Sequence, residues 1–192
     1  MKKILIIYGH PVRDTFSDDL AGEYLRGAKV GRAEIRQINL NDLEFNLNLS
    51  GGYRIQSKPE EDISRAQEDI VWCDHMVFIY PNWWATFPAM VKGFIDRTFL
   101  PGFAFRYRKG SSRPERLLRG KTARIIVTMD NPVWYYRMVY RAPGIRAMKN
   151  AILQFCGVHP VRTTLIGSVR KSTPAVRQRW LKRLYKLGIK DS

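Results

Sequence analysis

The chain has 192 residues, of which 45% are hydrophobic, and a formal charge of +16. That is enough to bury a core as one domain over 1–192, and it excludes a disordered or fibrous polymer. Its longest apolar run, near Ile70 to Pro81, is short and broken by Asp74 and His75, so no bilayer-spanning helix is expected. Cys73 and Cys156 are too few and too far apart for a disulfide framework, and His10, His75 and His159 lack metal-ligand spacing, so no metal is expected.

In chain order, Lys3 to Tyr8 is a β-branched apolar run stopped by Gly9 and reads as a buried parallel strand. The apolar run in this opening segment is too short for a signal peptide, which makes a cytoplasmic location the expectation. Phe16 to Ala28 has helical spacing with Thr15 or Ser17 as N-cap, and Glu34 to Leu40 alternates as a second strand. Asn41 to Pro59 reads as an irregular connection. A helix from Pro59 to Trp72 starts on proline and acids. His75 to Tyr80 is the third strand, and a helix over Ala89 to Thr98 follows its loop. Ala123 to Thr128 is the fourth strand, Met129 to Pro143 a long aromatic loop, and Ile145 to Phe155 a helix closed by Gly157. Val161 to Ile166 is the fifth strand, and Thr173-Pro174 starts a basic amphipathic final helix. Five alternations of strand and helix predict a doubly wound α/β sheet of flavodoxin-like order 2-1-3-4-5, with helices on both faces.

Three strand-end loops could carry chemistry. Gly9 to Ser17 sits between the first strand and its helix, where Thr15, Ser17 and helix N–H groups suit a phosphate; His10 could donate to it. Simple helix capping accounts for the same residues equally well. The third-strand loop carries Pro81, Asn82, Trp83, Trp84, Ala85, Thr86 and Phe87. A loop at a strand's carboxyl end cannot bury two indoles in the sheet core, so a ligand or a partner subunit should cover them. The fourth-strand loop, Thr128-Met129-Asp130-Asn131, precedes Trp134, Tyr135 and Tyr136, any of which could equally be packing aromatics. Either tyrosine could move a proton.

The run P-x-W-W-x-x-x-P-A-x-x-K-G-F-I-D-R-x-F, from Pro81 to Phe99, with Gly102 to Phe105 after it, resembles the NAD(P)H:quinone oxidoreductases. This flavodoxin-like family includes modulator-of-drug-activity enzymes and ancillary subunits of potassium efflux systems. The GHP…TFS loop and Phe155-Cys156-Gly157 add to the resemblance, which spans nearly the whole chain. It implies a two-electron, ping-pong reductase of quinones, with azo or nitro compounds as side substrates and NAD(P)H as co-substrate. It also implies a tightly held flavin: His10, Thr15, Phe16 and Ser17 at the phosphate; Pro81, Asn82, Trp83, Trp84 and Ala85 along the ring; Thr128, Met129, Asp130 and Asn131 at its pyrimidine edge. The long Asn41–Pro59 connection favours FAD, with FMN the alternative. Relatives have T-T-G-G where this chain has T-M-D-N-P, then a tyrosine and a histidine. Tyr135 or Tyr136 would stand for the tyrosine, no histidine lies between His75 and His159, and Asp130 should point away from a reduced ring.

Family members pair as homodimers, for which Trp72, Trp83 and the 132–140 aromatics could supply the surface. The positive charge runs from Arg97 to Lys190 without a nucleic-acid-binding motif. It favours anionic small molecules, an anionic membrane or an acidic partner such as a transporter over nucleic acid. The alternative function is a flavin- or nucleotide-sensing regulatory subunit of a membrane transporter.

Overall fold

The computed structural model describes residues 1–52, 59–108, 110 and 113–192. Five strands form one parallel sheet: β1 (Lys3–Tyr8), β2 (Glu34–Asn39), β3 (His75–Pro81), β6 (Thr122–Thr128) and β7 (Val161–Ile166). Their order is β2-β1-β3-β6-β7, which is 2-1-3-4-5 counted along the main sheet, as the alternation predicts. Two-residue strands β4 (Phe105–Arg106) and β5 (Glu115–Arg116) pair separately. They are too short to show a period, so the sequence pattern misses them.

Alternate strand residues face opposite layers. Ile4, Ile6, Val77, Ile79, Ile126 and Ile166 pack under α1 (Phe16–Val30) and α6 (Pro174–Asp191). Leu5, Ile7, Met76, Phe78, Ile125 and Val127 pack under α2 (Glu61–Trp72), α3 (Ala89–Thr98) and the segment ending in a π-helix, Ala147–Gln154. The helix expected over Ile145 to Phe155 is therefore split between α5 (Pro143–Arg146) and this π-turn run. The expected 129–143 loop holds a short helix, α4 (Val133–Met138). Residues 53–58 of the second connection lie outside the described residues.

Helices α1 and α6 cross at glycine. A Cβ on Gly188 would lie 2.1 Å from the Tyr24 carbonyl oxygen, and one on Gly27 2.0 Å from that of Tyr185. Backbone cannot yield as a flexible side chain can, so Gly188→Ala should lower unfolding stability by ~1–3 kcal/mol. Gly22, exposed on the same α1, has nothing within 4 Å of a built Cβ. Gly22→Ala should raise stability by ~0.5–1 kcal/mol through helix propensity. Urea denaturation of both variants checks the pair. Equal effects of the same sign would contradict the crossing.

Both cysteines are buried, and burial pushes the Cys73 and Cys156 thiols up to about 12, so neither is a thiolate nucleophile at neutral pH. No group of three His, Cys, Asp or Glu among the described residues could hold a metal ion. No described helix is long and apolar enough to cross a membrane.

Candidate active site

The chain reverses its winding between β1 and β3, and at the carboxyl ends of β1, β3 and β6 the loops enclose a cavity of about 550 Å³. That position is where open parallel sheets bind ligands, and the volume suits one small organic molecule. His10, Thr15, Phe16 and Ser17 line it from the first loop, Pro81 to Ala85 from the second, Thr128 to Asn131 from the third. The structure thus brings together all thirteen residues singled out in the three loops.

Backbone bonds tie the loops to the sheet and to one another. Gly9 N–H donates to Ile79 O at 2.8 Å, Asn82 N–H to Thr128 O at 2.8 Å and Met129 N–H to Ile166 O at 2.9 Å. Asn41, which no motif marks, donates from its side-chain amide to the His10 carbonyl at 2.7 Å. Gly9 permits close packing, since a Cβ there would meet Val91 Cγ2 at 2.4 Å.

The first loop is a capped helix start that keeps part of its donor set free. Asp18 accepts from both Thr15 N–H and Thr15 Oγ1, each at 2.7 Å. Burial works against the Asp18 charge, yet these bonds hold its carboxyl below the usual range. The Thr15 hydroxyl is thereby committed to the cap. Ser17 Oγ is buried 3.0 Å from Thr128 Oγ1, which ties the first loop to the third. The N–H groups of Phe16 and Ser17 open the helix and have no preceding turn to bond.

The tryptophan loop is a tight turn. Trp83 and Thr86 exchange backbone hydrogen bonds at 2.8 and 2.9 Å, while Trp84 (φ 50°) and Ala85 (φ 62°) both adopt the left-handed region. This is the primed turn geometry, whose two central residues are normally glycine or asparagine. Held by a tryptophan and an alanine, it costs on the order of 1–3 kcal/mol per residue and needs outside support. That support converges on the Ala85 carbonyl, which accepts from Gly144 N–H at 3.1 Å and from the Tyr136 hydroxyl at 3.2 Å. The turn leaves the Trp84 side chain 100% exposed and Trp83 46% exposed. The indoles are therefore uncovered in this chain, as their place at a strand's end requires.

Of the two tyrosines expected to handle a proton, neither lines the cavity. Tyr136 faces inward from α4; its hydroxyl accepts from Ile145 N–H at 3.3 Å while donating to Ala85, and burial raises its pKa. It braces the turn. Tyr135 packs edge-on against Tyr140 at 5.3 Å, and a hydrogen bond that its hydroxyl donates to Tyr140 raises its pKa. Tyr140 itself lines the cavity, as does Val169 after β7. Sequence reasoning misses Tyr140, because choosing among the aromatics of 132–140 needs the course of a short helix that the pattern does not reveal, and Val169, because it follows the fifth strand and lies outside the three loops. Asp130 lines the cavity but its Oδ1 accepts from Arg170 N–H at 3.0 Å, so one carboxylate oxygen is already engaged.

Trp72 and the aromatic tail of the long motif serve elsewhere. Trp72 ends α2, at the far end of the sheet, under the Arg36 guanidinium at 4.3 Å and Lys3 at 5.8 Å. Ala104 and Phe105 are buried in the core, where Phe105 meets Phe155 edge-on at 5.1 Å.

A doubly wound parallel sheet with three loops meeting at its switch point defines an α/β protein of the flavodoxin type. The chain belongs to the family described as having a flavodoxin-like fold, whose model matches residues 2–187. Among curated proteins it is similar to one named as an uncharacterised NAD(P)H oxidoreductase of Haemophilus influenzae, 28% identical over 172 residues, 86% of this chain and 83% of that one. Among solved structures, a protein of Streptococcus mutans is 30% identical with a TM-score of 0.80, over 98% of this chain and 99% of that one. An NAD(P)H:quinone oxidoreductase from Methanothermobacter marburgensis shares the fold at 23% identity and a TM-score of 0.83, over 98% of this chain and 96% of that one.

Proposed function

We propose that this chain is a flavin-dependent NAD(P)H oxidoreductase that reduces quinones by a ping-pong route. The observation that carries the reading is the cavity itself, where the phosphate, ring-face and pyrimidine-edge residues of the resemblance line one space of about 550 Å³. A bound flavin would supply hydride acceptance from reduced nicotinamide and two-electron delivery to a quinone.

The donor set fits the FMN portion that FMN and FAD share. Phe16 and Ser17 N–H groups and the outer edge of His10 would hold the phosphate, with α1's dipole favouring the anion. Trp83 and Trp84 would lie along the ring, and the Trp84 and Ala85 N–H groups, unused by the turn's own bonds, would face its polar atoms. Such fixed donors favour the negative charge of the reduced state without reorganising. Tyr140, with Tyr135 bonded to it, would pass a proton to the acceptor oxygen, and Tyr136 would act as a positioning residue. The case for FAD rests on the second connection, part of which lies outside the described residues.

A second copy of the chain would cover the exposed indole of Trp84 together with Trp134 and Met138, 62% and 76% exposed. Sedimentation velocity should therefore show a dimer. A monomer at micromolar concentration would remove that part.

The test is a visible spectrum of the purified protein, anaerobic addition of NADPH, and chromatography of the acid-released cofactor. A yellow protein bleached by NADPH and re-oxidised by a quinone is expected, and the chromatogram distinguishes FMN from FAD. A colourless protein that takes up neither flavin would sink the reading. A yellow protein that NADPH leaves unbleached would favour a sensor.

A further inference from the structure

The chain's charge is sharply divided. Residues 1–100 carry 12 basic and 14 acidic side chains, whereas residues 101–192 carry 21 basic and three acidic. From 131 to 190 there are 13 basic residues and no acid at all. The three acids of the second half do little to relieve the field outside. Asp191 is buried against Arg124, Glu115 is held by Arg108 at 2.9 Å, and Asp130 accepts from the Arg170 backbone.

Strand order turns this sequence asymmetry into a surface. β7 is the edge strand, with α6 on one face of the sheet and the π-helical segment on the other, so 131–190 builds one end of the molecule. β2, at the opposite edge, belongs to the nearly balanced half. Arg162 is exposed on β7, and Arg179, Lys182, Arg183, Lys186 and Lys190 are exposed on α6. From Arg179 to Lys190 the cations of this helix extend over roughly 17 Å. A field that long and even is too extended for a single small anion.

We propose that the α6 face of this end is a docking surface for an anionic lipid bilayer. Shape separates a bilayer from duplex nucleic acid. α6 is packed along its length on α1 through Leu184 and the Gly27–Gly188 crossing, so it lies flush with the fold and cannot enter a groove. A flush row of cations fits a plane of headgroups. Apolar groups sit among the charges as interfacial helices require: Trp180 is half-buried with the Arg183 guanidinium 5.0 Å above its ring, and Ile189 is 39% exposed. None of these residues lines the cavity. α6 begins at Pro174, a few residues after Val169 at the cavity wall, so docking sets the site close to a lipid phase.

The test is co-sedimentation with sucrose-loaded vesicles of phosphatidylcholine alone or with roughly 30 mol% phosphatidylglycerol. The full chain should bind the anionic vesicles only, and lose the binding between about 50 and about 500 mM salt as charges are screened. Replacing Arg179, Lys182, Arg183 and Lys186 by Gln should weaken binding at least about tenfold. Gln at Arg13, Arg32, Arg65 and Lys92, the same charge removed elsewhere, should change it less than about twofold. Absence of binding by the unaltered chain at low salt overturns the proposal, as does equal loss in both variants. Retention on duplex DNA with none on vesicles overturns it in favour of nucleic acid. If the α6 variant fails to fold, the lipid and salt dependence of the unaltered chain decides alone. Vesicle binding needs no cofactor, so its failure leaves the reductase reading standing.

Discussion

Asp191→Asn is expected to lower the thermal midpoint by roughly 6–20 °C, the equivalent of ~3–5 kcal/mol in a chain of this size. Asp191 ends α6 and is wholly buried, with Arg124 Nε and Nη2 donating to it at 2.5 and 2.9 Å and the Tyr24 hydroxyl at 2.9 Å. Arg162 reaches the same carboxylate at 3.4 Å. One carboxylate therefore joins α6, α1, β6 and β7. Its loss leaves the Arg124 guanidinium buried without a counter-charge, which is the costly case for ion pairs.

The same cluster sets the acid limb of stability. Burial favours the neutral acid, but Arg124 holds the Asp191 carboxyl far below the usual carboxylate range. A depressed carboxylate stabilises the fold above the unfolded value of about 3.9 and loses that contribution as pH falls through the native one. His75 acts in the same direction. Burial drives its pKa below the ordinary value; its Nδ1 lies 2.6 Å from Thr122 Oγ1, and its buried Nε2 has no hydrogen-bond partner, 3.6 Å from Asp191. Native stability should therefore fall as pH drops below about 6.5 and again below about 4. Urea midpoints from pH 8 to 3 measure this. A flat profile down to pH 4 would contradict the buried neutral histidine.

Gly144→Ala is expected to weaken flavin binding at least about tenfold while the fold survives. A Cβ there would lie 2.7 Å from Thr86 Cα, 2.9 Å from the Ala85 oxygen and 3.2 Å from the Tyr136 hydroxyl. It would push directly on the strained Trp84-Ala85 turn and on both bonds that hold it. Tyr136→Phe removes one of those bonds without a clash, and a smaller weakening, within about fivefold, is expected from a single lost hydrogen bond. Fluorescence titration of the apoprotein with flavin reads both. Unchanged affinity in Gly144→Ala would mean that the turn does not shape the binding site.

Much of the architecture is legible in the order of the amino acids. β1, β3 and β6 are short β-branched or aromatic runs ended by loop residues, and α3 matches its expected span from Ala89 to Thr98 because Pro88 and the apolar spacing mark it. The three cavity loops are legible for the same reason: each follows a strand that the pattern makes plain. Less local features are not. α4 is six residues long, too short to show a period, so the inward turn of Tyr136 and the approach of Tyr140 stay hidden in the sequence. Gly144 and Asn41 carry no motif; their roles exist only where distant segments touch.

By itself, then, the sequence determined the alternation of strands and helices, the aromatic loop after β3 and the excess of charge. Those are properties of neighbours along the chain. The tertiary structure alone decided that Ala85's carbonyl is held by Gly144 and Tyr136, that Asp191 closes the fold on Arg124, and that the basic half forms one end of the sheet. Each of these depends on strand order and helix crossing, which join residues far apart in sequence through contacts that no local pattern records.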